Sequence, residues 1–81
     1  MTEQPEHADD ELVAMADQEG LWIIRAGGAV MACPGTLRRA LEQAKTQSLA
    51  GEPLTRITRM PVDDPSIDAH QITRLWVRLG I

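Results

Sequence analysis

The run Cys33-Pro-Gly-Thr-Leu-Arg-Arg39 sets a thiol and a guanidinium in C-x5-R spacing. If it joins a strand to a helix, the thiolate lies at a helix N-terminus beside an arginine, where its pKa falls and it can attack phosphorus. Asp63 or Asp64, next to Pro65, could supply a general acid, but no spacing places either near Cys33. A second set is basic: His70, Arg74 and Arg78 recur at i, i+4 and i+8, and Arg56 and Arg59 could join them on nucleic-acid phosphates. Against that, the pI is about 4.9, no basic block occurs, and two tryptophans without Phe or Tyr leave little for base stacking. The third set is acidic and the most distinctive. Residues 1 to 20 hold seven carboxylates (Glu3, Glu6, Asp9, Asp10, Glu11, Asp17, Glu19) and no Lys or Arg, a formal −7, whereas the remainder carries +3 and the whole chain −4. Such asymmetry either docks on a positive surface or folds back on the chain's own basic remainder.

Cys33-x5-Arg39 resembles the phosphate-binding loop of low-molecular-weight tyrosine phosphatases and some arsenate reductases, over seven residues. The resemblance implies a Cys-dependent phosphatase or thiol redox protein with Cys33 as nucleophile and Arg39 on the phosphate. The sequence departs from that pattern. Pro34 removes a loop N–H, Leu37 and Ala40 have the spacing of a helix core, and Ala40 stands where a Ser or Thr usually follows the arginine. Cys-x-x-Thr is similar to a monothiol thioredoxin-like site, but there is no resolving cysteine. The simpler reading makes Cys33 a small core hydrophobe. One cysteine forms no internal disulfide, and no Cys/His cluster has metal-ligand spacing, so neither metal nor cofactor is expected.

Eighty-one residues make one domain, in which roughly 60% of the unfolded chain's surface can be buried, so one modest core is expected over residues 1–81. Pro5 to Glu19 has helical periodicity: Ala8, Leu12, Met15, Ala16 and Glu19 share one arc, Glu6, Asp10 and Asp17 lie opposite, and Gly20 stops the helix. Two β-favouring runs flank Gly27-Gly28, a hairpin signal in which both glycines can take positive φ. With those glycines as the loop, Ala26 faces Ala29, Ile24 faces Met31 and Trp22 faces Cys33, so one face is apolar throughout. The other carries Leu21, Ile23, Arg25, Val30 and Ala32. Thr36 to Ala50 reads as a helix with Thr36 as N-cap, Leu37, Ala40, Leu41, Ala44 and Ser48 in one stripe, and Gly51 closing it. Leu54 to Met60, between Pro53 and Pro61, reads as a third strand. Asp64 then caps a last helix with Pro65 at its first position and Ala69, Ile72, Leu75, Trp76 and Leu79 inside. The expected fold is a single small two-layer α+β domain of order αββαβα, with a three-stranded, mainly antiparallel sheet and flanking helices. Residues 1–19 form its acidic segment and 21–81 the hairpin-helix-strand-helix.

These patterns favour a non-enzymatic protein-binding inhibitor or regulator that uses an acidic surface to occupy a basic nucleic-acid-binding site on a larger partner. Glu6, Asp10 and Asp17 would form that surface, with Asp9, Glu11, Asp63 and Asp64 as secondary candidates for partner binding. A tiny acidic α/β chain of this kind looks like small phage-encoded inhibitors of the anti-CRISPR type, which implies binding to a CRISPR effector subunit and obstruction of target DNA. The alternatives are a small homodimeric adaptor that uses an apolar outer sheet face of Leu21, Ile23 and Val30, and the Cys33-dependent enzyme. No apolar run approaches a membrane span and the first twenty residues do not read as a secretory signal, so a cytoplasmic monomer or weak homodimer without direct nucleic-acid binding is expected.

Overall fold

Alternation along Leu21-Trp-Ile-Ile-Arg-Ala26 sends Trp22, Ile24 and Ala26 to one side of a strand and Leu21, Ile23 and Arg25 to the other. In the computed structural model, which describes residues 8–81, the first three are buried. The elements run α1 (Asp9–Ala14), β1 (Glu19–Ala26), β2 (Ala29–Thr36), α2 (Leu37–Leu49), β3 (Leu54–Met60), β4 (Ser66–Asp68) and α3 (Ala69–Leu79). The strands form one antiparallel sheet of order β2-β1-β3-β4. The hairpin has the register its sequence implies, with Ala26 opposite Ala29, Ile24 opposite Met31 and Trp22 opposite Cys33. Of the two loop glycines only Gly27 has positive φ, at +57°, and a Cβ there would run into the Glu52 carboxylate.

All three helices contribute to one core on the same face of the sheet. Leu12 of α1, Leu37, Ala40, Leu41 and Ala44 of α2, and Ile72 and Leu75 of α3 meet Trp22, Ile24, Cys33, Ile57 and Ile67. Each large side chain closed off in this way stabilises the fold by about 1.5–3 kcal/mol relative to leaving it in water. Helix α2 starts at Thr36, whose hydroxyl accepts the Arg39 N–H at 3.2 Å, and Gly51 follows its end at φ +93°. The helices are also tied to each other: the Trp76 indole N–H donates to the Leu41 carbonyl at 2.9 Å, and Lys45 donates to the Ile81 carbonyl at 2.6 Å.

Several expectations are corrected. Residues 66–68 form a fourth strand rather than the first turn of the last helix: Ile67 pairs with Ile57 and is fully buried, which engages this backbone in the ladder. The cap of α3 is therefore Asp68, which accepts the Gln71 N–H at 2.8 Å, and neither Asp64 nor Pro65 belongs to the helix. Helix α1 is shorter than Pro5 to Glu19, because Glu19 and Gly20 pair with Thr36 and Gly35 in the sheet. Gly20 is thus a strand residue, and the space of its missing Cβ is taken by Arg59, whose Nε lies 2.8 Å from that position. Ser48, placed by the sequence in the buried stripe of α2, is exposed.

Candidate functional site

The acidic residues do not form a free array. Asp9 accepts from Arg74 Nε at 2.8 Å and Nη2 at 3.3 Å, and from Gln71 Nε2 at 3.0 Å. Asp10 accepts from Arg78 Nη2 at 2.7 Å, and Asp17 from Arg38 Nε at 2.9 Å. Glu11 reaches back to the Ala8 N–H at 3.1 Å, closing the start of its own helix. The hydrogen bonds from Arg74 and Gln71 hold the Asp9 carboxyl below its ordinary range, and Arg38 does the same for Asp17, which in turn pushes the Arg38 pKa up. Asp10 and Asp17 remain largely in water, with side chains 85% and 77% exposed. Asp63, at φ +56°, and Asp64 lie exposed in the β3–β4 turn, at the end of the sheet where Met60 pairs with Leu21. Glu6 lies outside the described residues. The acids named from the sequence thus divide among contacts with α3 (Asp9, Asp10), a contact with α2 (Asp17) and the β3–β4 turn (Asp63, Asp64), and three of them face the chain's own arginines.

The same pairing dissolves the basic row. Arg74 and Arg78 face α1, and Arg59 lies over the Trp22 ring at 5.8 Å and donates to the Glu19 carbonyl at 3.2 Å. Cys33 is 9% exposed and sits opposite Trp22 in β2, which stays paired with β1 through Thr36. The segment from Cys33 to Thr36 is therefore strand, with Pro34 paired to Leu21 and Gly35 to Gly20, and does not coil around a central point as a phosphate loop does. A shallow depression of about 410 Å³ lies along α2, lined by Thr36, Arg38, Arg39, Glu42, Gln43 and Thr46, and mixes both signs of charge. No group of three or more His, Cys, Asp or Glu side chains that could hold a metal occurs among the described residues.

The outer face of the sheet is different in kind. Its side chains form three cross-strand rows, Pro34–Leu21–Met60, Ala32–Ile23–Thr58–Ser66 and Val30–Arg25–Arg56–Asp68. No described helix covers it, and Leu21 and Val30 are 43% and 63% exposed. The expected apolar cluster of Leu21, Ile23 and Val30 is thus present and open, with Ile23 half-buried between its neighbours. Arg25 and Arg56 are directly opposed, an arrangement that the separate strand patterns do not reveal because the β1–β3 register comes from chain folding. The available signal was the inward Ile57, which sends Arg56 and Thr58 outward. Arg25 donates to Thr58 Oγ1 at 3.2 Å and Arg56 to Ser66 Oγ at 2.6 Å. No helix among the described residues is long and apolar enough to cross a membrane. Comparisons with protein-family models, curated proteins and solved structures found no match to this chain.

Proposed function

We propose that this chain is a non-catalytic protein-binding module that seats a larger protein on the open face of its sheet and acts in the cytoplasm by occupying a surface of that partner. The observation that carries this reading is the exposure of Leu21 and Val30 on a continuous face whose reverse side is fully closed by helices. Side chains of this type, grouped at one surface, favour association because their burial releases water. The test is capture from a lysate of the source cells on wild-type protein, Ile23→Lys and Val30→Lys, with folding of each variant checked by circular dichroism. A partner retained by the wild type and lost by both variants is the expected outcome. Equal capture by all three overturns the reading. Self-association of the wild type that the variants lose would instead make this face a homodimer interface.

A second reading keeps the acidic side as the docking surface, competing for a basic nucleic-acid-binding site such as one on a CRISPR effector subunit. Its support is that Asp10 and Asp17 stay exposed although paired. Reversing both to lysine abolishes capture under that reading and leaves it unchanged under the first.

A further inference from the structure

We propose that the open face is built to hold an acidic, partly apolar protein segment, with Arg25 and Arg56 as its carboxylate clamp; this deepens the sheet-face reading and rests on it. Like charges directly opposite each other across two strands are unfavourable unless something neutralises them. Three other arginines have counter-charges within the chain: Arg38 has Asp17, Arg74 has Asp9 and Arg78 has Asp10. Arg25 and Arg56 form no ion pair with any described carboxylate, and their hydrogen bonds go to the hydroxyls of Thr58 and Ser66. Each of those bonds uses one guanidinium donor and leaves the rest of the fork available, in a geometry suited to accepting a carboxylate through two parallel bonds. Asp68 stands opposite Arg56 in the same row and gives one oxygen to the Gln71 N–H as the cap of α3, whereas Arg25 has Val30 and Arg56 opposite it and no acid.

The other rows define the rest of the partner. Ile23 and Ala32 lie in the row next to the two arginines, and Leu21 and Met60 in the row beyond, so a matching segment presents apolar side chains on one side of its carboxylates. Nucleic acid fits less well: both tryptophans face the helices, where Trp22 is buried and Trp76 bonds to Leu41, and the chain carries a net −4. A second copy laid face to face brings Arg25 and Arg56 of each copy onto the same face of the other, where the only acids among the described residues are Glu19, at the far end of β1, and Asp68, which also caps α3.

A random-peptide display library selected on the full chain tests this, with R25E/R56E, R25Q/R56Q and Val30→Lys as comparison proteins. The expected result is enrichment of peptides carrying Glu or Asp beside Leu, Ile or Val. Their affinity should fall roughly tenfold or more in both double-arginine variants, the size expected when paired charges are removed from a contact. The glutamine variant keeps the measurement interpretable if the charge reversal fails to fold. Peptides that Val30→Lys loses but both arginine variants retain overturn the clamp and leave the sheet-face reading standing. Peptides retained by all variants, or a library yielding no binder, overturn both. Tighter binding of a single-stranded oligonucleotide than of any acidic peptide, lost in R25Q/R56Q, replaces the proposed partner class with nucleic acid. Self-association of the wild type without peptide, lost in Val30→Lys, replaces it with a second copy.

Discussion

The two faces of the sheet are made by alternate residues of the same strands, yet they are opposites in chemistry. Trp22, Ile24 and Ile57 on one side are closed to solvent by three helices, whereas Leu21, Val30, Arg25 and Arg56 on the other meet no helix. Their arginines differ too: Arg38, Arg74 and Arg78, on the helices, each hold an aspartate, while on the open side Arg25 and Arg56 hold only hydroxyls. A regional excess of charge in the sequence therefore does not locate free charge in the fold: Asp9, Asp10 and Asp17 of the acidic region meet the chain's own arginines, whereas Arg25 and Arg56 oppose each other without an ion pair to any described carboxylate.

Substitutions that treat the faces as equivalent should break this comparison if it is wrong. The largest expected effect is Trp22→Ala, at about 3–5 kcal/mol for loss of a buried tryptophan, against less than about 0.5 kcal/mol for Val30→Lys on the same sheet. Urea unfolding followed by circular dichroism measures both, and comparable losses would mean that the open face is covered in solution. Asp68→Ala probes the seam between the faces, since this residue stands in the open-face row but caps α3. A loss of about 1 kcal/mol is expected, the usual cost of an N-cap, and none if the carboxylate serves Arg56 instead.

The smallest effect concerns the paired acids. Asp9 has its folded-state pKa held below the ordinary 3.8. Near and below that pH the unfolded chain therefore binds more protons at this position than the folded one, and stability drops as pH falls through the folded value. The stabilisation from the pair is complete above the ordinary value, so Asp9→Asn should cost up to about 1 kcal/mol at neutral pH, as for other solvent-exposed pairs. The variant should then lose less than the wild type on acidification to about pH 3, read by urea midpoints across the pH series. Parallel curves would show that Asp9 does not contribute to the acid limb.

Much of the fold was legible because its signals are local. Gly27-Gly28 set the hairpin register, and Thr36 with the Leu37, Ala40, Leu41, Ala44 stripe defined α2. The local signal Asp64-Pro65 places the start of α3 too early, because the long-range pairing of Ile67 with Ile57 draws residues 66–68 into the sheet and leaves Asp68 as the cap. The candidate site was legible by halves. Leu21, Ile23 and Val30 stood out from alternation, but the juxtaposition of Arg25 with Arg56 depends on residues thirty-one positions apart meeting in the sheet. The ion pairs from α1 to α3 are still less local and change what Asp9 and Asp10 can do.

Helix α1 spans six residues, too few to persist without packing. It is held by Leu12 in the core and by ion pairs to α3 that close chain loops of 65 and 68 positions. Its detachment would leave every rung of the β-ladder in place, so it forms a sub-global unit able to open at a lower free energy than the whole domain. Because its outer fastenings are exposed charges, ionic strength screens them and shifts the balance between docked and undocked forms. A domain whose sheet is set by hydrogen bonding and apolar burial thus carries at one edge a segment whose residence time responds to salt.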